Sequence, residues 1–476
     1  MAFRARRKTL NADRPPSPVV PSASSLRHAL DALAARRITA VALIEQALEA
    51  AQASKRDLRA FAAIDRDGAL AAAAESDRRY AQGRQRPLEG LAIGVKDLID
   101  TQGIETSYGS AAYLGHLPDA DADVVRALIE RGAIPVGKTA THEFAWGVTT
   151  ASATFGDTLN PLDRTRIPGG SSGGAAAAIA CGAVAAGLGT DTGGSVRIPA
   201  ALCGVVGFKP SFGALPTRGI FALAPTLDHP GFLGATVDDV ALLAGAFHIE
   251  MPQHAASPSA RLGVVREIAP VPPSAEVASA FDTAVAKLGE FLACTTVDAP
   301  GLFDGVFEAF AHIVLTEGGV EHFRRNAADR IATHYGRETI ERLERAKSIT
   351  LGDYARAQQA RRDFTARLHR AMSQLDYLVL PTCPCTAPQV NQASIDIGHW
   401  SGTVREALMT YTAPFNVAGF PAISIPLAAR DGRLPAGLQI VAKPGRDGAL
   451  LQIAQQIEGL MHTGTSTHPP TTRSTP

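Results

Sequence analysis

Residues 168–199 read PGGSSGGAAAAIACGAVAAGLGTDTGGSVRIP. Glycine loses more conformational freedom on folding than any other residue, so it is placed where the backbone must turn sharply or approach another group closely. Here six glycines flank three serines, Ser171, Ser172 and Ser195. Such loops either bind anions or hold nucleophiles. In Gly193-Gly194-Ser195 two residues without side chains let consecutive N–H groups point into one small space beside a hydroxyl, which is what an oxyanion hole requires. Between the serine loops, Val184 to Leu188 reads as a buried strand.

A serine hydroxyl needs a base before it attacks a carbonyl, and histidine is the usual one. No histidine lies near either loop in sequence, which leaves one folded in from elsewhere open. Lysine is the next choice. Lys96 ends the apolar run Leu91 to Val95, where a side chain can be buried. An ordinary lysine, with a pKa of about 10.4, is protonated at neutral pH and useless as a base. Desolvation lowers a lysine by up to about 3 to 5 units, enough to free it near pH 7. A neighbouring hydroxyl could then carry the proton to it, and Ser171 is placed to be that relay.

Working outward, Leu26, Leu30 and Leu33 fall on one helix face that Ser25 could cap, and Thr39 could open a second helix carrying Ile44, Ala47 and Leu48. Leu91 to Val95 is a strand, Asp121 or Asp123 starts a helix that Gly132 ends, and Ile134 to Val136 is the next strand. This is a βαβ rhythm. Leu262 to Val265, Tyr377 to Leu380, Ala422 to Leu427 and Leu438 to Val441 are further strands, interleaved with helices such as Val277 to Leu292 and Leu450 to Ile457. The pattern predicts an α/β fold: a single large mixed β-sheet covered by helices on both faces. One domain is expected over 23–460, with disordered tails over 1–22 and 461–476. The mostly helical stretch 250–375 is expected to cover one side of the sheet and shape a pocket.

The chain has 476 residues, of which 46 are Lys or Arg and 46 Asp or Glu, so attraction to nucleic acid or an anionic membrane has no support. No apolar run is long enough to span a membrane, and the start is not a secretory signal, so a cytoplasmic location is expected. Five cysteines are too few and too scattered for a disulfide framework, and Cys383 and Cys385 lack the spacing and companions of a metal site. Neither a metal nor a cofactor is needed for the chemistry above.

At this point the chain resembles the amidase signature family along 25–460. The matching pieces are GVKD at 94–97, GKTATHEFA at 137–145, NP at 160–161, PGGSSGG at 168–174, GTDTGGSVRIP at 189–199, GFKP at 207–210 and FPAISIP at 420–426. The resemblance implies a Ser-cisSer-Lys triad: Ser195 as nucleophile, Ser171, preceded by a cis peptide bond, as relay, and Lys96 as base. It further implies an oxyanion hole at Thr192, Gly193, Gly194 and Ser195, and a substrate pocket lined by Ala145 and Trp146. Ser172, Asp191 and Arg197 would support the serine loop. The activity implied is hydrolysis of a carboxylic amide through a seryl acyl-enzyme, with carbamates, esters and urea-like compounds left open. The partner would be a small-molecule amide, and a homodimer is one assembly left open.

Three other readings compete. Gly170 to Gly174 formally fits G-x-S-x-G with Ser172 as nucleophile, but an elbow needs a strand directly before it, and the residues there are Asp163 to Pro168. Within the family, the A subunit of the glutamine-dependent tRNA amidotransferase shares length and triad. It usually carries Ser-Arg-Tyr-Gly where this chain has Pro216-Thr217-Arg218-Gly219. A binding protein that has lost its activity is the third, against which every triad position is filled. Phe144, Trp146 and the phenylalanines over 303–310 suggest an apolar or aromatic substrate, with core packing as the competing explanation.

Overall fold

A computed structural model describes residues 25–253, 260–297, 300–427 and 433–462. Ser25 and Thr39 cap the helices Leu26–Ala34 and Ala40–Leu58, each hydroxyl accepting an amide of its first turn. The tail expected over 1–22 lies outside the described residues, as does most of the one expected over 461–476. Residues 461 and 462 instead complete the helix Asp447–His462.

Thirteen strands follow in chain order: β1 Phe61–Ile64, β2 Ala92–Lys96, β3 Ile134–Thr139, β4 Ala186–Asp191, β5 Val206–Lys209, β6 His229–Gly234, β7 Arg261–Val264, β8 Ala293–Thr296, β9 Tyr377–Pro381, β10 Ser394–Ile397, β11 Trp400–Thr403, β12 Ala422–Leu427 and β13 Ala436–Ala442. Eleven of them form one sheet in the order β1-β3-β2-β4-β6-β5-β12-β13-β9-β7-β8, while β10 and β11 form a separate hairpin. The sheet is mixed. β3, β2 and β4 run parallel, as do β9, β7 and β8, and antiparallel pairs join these two blocks.

Successive side chains of a strand face opposite ways, and β2 shows what this does to the core. Ala92 belongs to one buried apolar cluster, whereas Ile93 and Val95 belong to another. The sheet is thus buried on both sides, the condition under which parallel strands read as continuous apolar runs. The helix Asp123–Glu130 crosses from β2 to β3, and Gly173–Ala180 leads to β4. As expected, 250–375 is mainly helical, with Val306–Arg325 and Leu351–Ala371 its longest helices, although it also supplies β7 and β8.

Four sheet strands escaped the pattern analysis: β1, β5, β6 and β8. The sequence of β6, HPGFLG, carries a proline and two glycines that argue against a central strand. It is nevertheless paired on both sides, with β4 from Asp191↔His229 to Ala186↔Gly234 and with β5.

Candidate active site

The carboxyl ends of β2 and β4 lie side by side, the position where open α/β sheets bind ligands. Lys96 is the last residue of β2 and is fully buried. Its Nζ donates to Ser171 Oγ at 2.7 Å and to Thr190 Oγ1 at 2.8 Å. No carboxylate among the described residues bonds it. Burial pushes its pKa down to about 7, against the more distant pull of Asp191 and Asp228.

Ser171 and Ser172 form the lip of the helix Gly173–Ala180. The Gly170–Ser171 peptide bond is cis. Ser172 donates from its hydroxyl to the Thr190 carbonyl at 3.2 Å and from its amide to the Ser195 carbonyl at 3.1 Å, tying the two serine loops together. Residues 168–172 are loop and not strand, so a nucleophile elbow at Ser172 has no support.

Ser195 follows β4 and precedes the helix Arg197–Cys203. Between them, the Asp191 carboxylate accepts the amides of Gly194 at 2.8 Å and Val196 at 3.1 Å. Arg197 grips the same carboxylate from Nε at 3.0 Å and Nη2 at 2.9 Å, and both residues are fully buried. The guanidinium also donates to the Thr412 carbonyl, Gln439 Oε1 and Asn416 Oδ1. Burial opposes ionisation of Asp191, yet Arg197 and Lys209 hold its pKa below the usual carboxylate range.

Gly194 departs from expectation. Its N–H is consumed by Asp191, which leaves the amides of Thr192, Gly193 and Ser195 without a protein acceptor among the described residues. Glycine is still required there, because φ is +128° and a Cβ would lie 2.2 Å from Thr412 Oγ1.

A cavity opens beside Ser195, lined by Thr192, Gly193, Ala145 and Trp146 on one side. Phe310 and Val314 of the helix Val306–Arg325 line it too, together with Leu223, Arg405 and Met409. The space between these residues, counted out into the open mouth, is about 300 Å³. Ala145 and Trp146 thus line the same cavity as Ser195. Phe144 does not reach the cavity and packs against Phe221, His322 and Tyr335. Of the phenylalanines over 303–310, only Phe310 lines it, while Phe303 packs on Phe364 and Phe415. A second cavity shares Thr192, whose hydroxyl donates to Asp228 at 2.7 Å. Burial pushes Asp228 up to about 7.

Lys96 and Ser171 are joined directly, whereas no hydrogen bond links Ser171 Oγ to Ser195 Oγ. Sequence reasoning missed Thr190, Asp228, Met409 and Arg405. Arg405 was within reach: Leu408 and Met409 follow it at i+3 and i+4, which sets a charge on an apolar helix face.

The family described as Amidase matches residues 42–451, and the chain belongs to it. The solved structures it resembles include enzymes described as amidases. One structure described as an amidase shares 34% identity at a TM-score of 0.85, covering 92% of this chain and 99% of its own. The peptide amidase of Stenotrophomonas maltophilia shares 28% at a TM-score of 0.81, covering 93% and 98%. Among curated sequences, the A subunit of the Glutamyl-tRNA(Gln) amidotransferase of Chloroflexus aurantiacus is 35% identical over 90% of this chain and 95% of its own. No helix among the described residues is long and apolar enough to cross a membrane.

Proposed function

We propose that the chain hydrolyses an amide C–N bond, with Ser195 as nucleophile, Ser171 as proton relay and Lys96 as base. The observation that carries this reading is a buried lysine with no carboxylate partner, pushed down to about 7 and bonded to a serine hydroxyl at 2.7 Å. Ser195 Oγ attacks the carbonyl carbon, its proton passes to Ser171, and the Ser171 proton passes to neutral Lys96. The oxygen becomes an anion facing the free amides of Thr192, Gly193 and Ser195. When the C–N bond breaks, the proton returns along the same route to the nitrogen and leaves an acyl-enzyme. Water, deprotonated through the same groups, releases the acid. Direct proton delivery to a poor leaving group suits amides, and carbamates or esters share the same carbonyl step.

The test is hydrolysis of a primary amide, an anilide, a carbamate and an ester by wild type and Ser195→Ala, with labelling of Ser195 by a fluorophosphonate as a substrate-independent readout. Cleavage or labelling that survives Ser195→Ala would refute the assignment.

A second reading, the A subunit of a glutamine-dependent tRNA amidotransferase, is the one favoured by the curated relatives. Two features support a free-standing amidase instead: Pro216-Thr217-Arg218-Gly219, and a cavity without a carboxylate to receive the ammonium of glutamine. A component of such a complex would co-purify with partner chains and require glutamine, whereas a free-standing amidase works alone.

A further inference from the structure

Besides the Ser195 hydroxyl, two residues lining the cavity carry polar side-chain groups left unbonded among the described residues, and both groups are donors. Arg405, at the start of the helix Val404–Thr410, makes no hydrogen bond or ion pair among the described residues, and its Nε is sealed from water without an acceptor. The indole Nε1 of Trp146 is likewise buried and unpaired. Neither group can accept a hydrogen bond, so only an acceptor satisfies them. Buried donors in native proteins are nearly always paired, and two orphans on residues that line one cavity point to a ligand that brings the acceptor.

The surrounding charges ask for the same thing. Arg342 and Arg345 repel Arg405, and Arg342 has an orphaned Nη1 of its own. Glu338 attracts it but is already engaged by Arg342 and by His142. Glu406 attracts it too, while its carboxylate caps the helix at Thr403. Apart from Arg405, the groups lining the cavity are uncharged. Burial and the neighbouring guanidinium both weigh against the charge of Arg405, and an anion placed between them removes that cost.

We propose that this cavity recognises a carboxylate carried by the substrate within a few bonds of the scissile amide, with Arg405 as its counter-charge and Trp146 Nε1 as a second donor. Planar, forked recognition of a carboxylate is what a guanidinium does best. The proposal rests on Ser195 being the reacting group and adds the substrate class: a monoamide of a short dicarboxylic acid, or an amide of a carboxylated amine.

The test compares kcat/KM for near-isosteric pairs. Succinamate against butyramide places the charge on the acyl side, and 4-propionamidobenzoate against propionanilide places it on the amine side. Wild type is expected to prefer the charged member of one pair at least about tenfold. In Arg405→Gln that preference should fall on the order of 30-fold, the loss expected for a charge-assisted hydrogen bond, and Arg405→Lys should restore part of it. Equal rates within both pairs in wild type, or a preference unchanged in Arg405→Gln, would overturn the proposal. If Arg405→Gln does not fold, Arg342→Gln and the wild-type ratios decide. Fluorophosphonate labelling of Ser195 without any charge preference sinks the subsite alone. Absence of labelling and of hydrolysis sinks the serine mechanism, and calorimetric titration of wild type with succinate against butyrate then tests the subsite by itself. Selective succinate binding supports it, and equal or absent binding refutes it.

Discussion

Arg197, fully buried, and Arg405, half-buried, lie near the same serine, and the protein treats them in opposite ways. Arg197 donates from Nε, Nη1 and Nη2 to two side chains, a backbone carbonyl and the Asp191 carboxylate. Arg405 is bonded to nothing among the described residues. A buried charge bonded throughout by its own chain is framework: it sets Asp191, and through it the amides of Gly194 and Val196 on either side of Ser195. A half-buried charge left open is a demand for something from outside. On the proposed reading, the contrast separates a wall that performs chemistry on any substrate from a wall that chooses the substrate.

The sharpest way to break this division is at the serine both walls serve. Ser195→Ala should lower kcat by at least about 10⁴-fold for charged and neutral amides alike, with the melting transition unchanged. A residual rate that depends on the substrate would mean that another group attacks. Next in size is Arg197→Ala. It leaves Asp191 buried without its partner and should cost about 3 to 5 kcal/mol of stability, read from denaturant midpoints, with kcat reduced equally across substrates. A loss confined to carboxylated substrates would place Arg197 on the recognition wall and erase the contrast.

The pH profile sharpens the comparison further. On the proposed mechanism Lys96 is a base only when neutral, and burial pushes its pKa down to about 7, so the active fraction falls as pH drops. Below pH 7, kcat/KM should decline about tenfold per unit, with the same inflection for charged and uncharged amides, because Arg405 does not titrate there. An inflection near 10 would remove Lys96 as the base. The smallest effect concerns the seam between the walls. A Cβ on Gly193 would lie 2.5 Å from Met409 Cε and 2.6 Å from Phe310 Cζ. Gly193→Ala should therefore cost about 1 kcal/mol of stability and slow longer acyl groups more than short ones in a chain-length series.

Much of the chemical wall could be read along the chain, because its parts are local. The two serine loops and Asp191 fall within residues 168–199, and Lys96 stands out as a charge at the end of an apolar run. The strands buried on both faces were legible for the same reason, being continuous apolar runs, whereas β6 was hidden by its proline and glycines. What could not be read was whatever depends on distant pairing. Thr412, Asn416 and Gln439, which hold Arg197, come from more than 200 residues away. The opposing wall, with Phe310, Arg405 and Met409, comes from a region whose helices look alike in pattern. The donor count at the oxyanion site failed at Gly194 because no local rule says that an amide already belongs to a carboxylate three residues earlier.

The long reach of Arg197 also imposes a timetable on synthesis. Gln439 follows Arg197 by 242 residues, so at about 5 to 20 residues per second the ribosome needs roughly 12 to 48 seconds to deliver the last of its partners. Until then the loop bearing Ser195 is made but not set. On the proposed mechanism, a nascent chain carrying the lysine and both loop serines is thereby kept latent, and competence arrives late, with the pairing of β12 and β13.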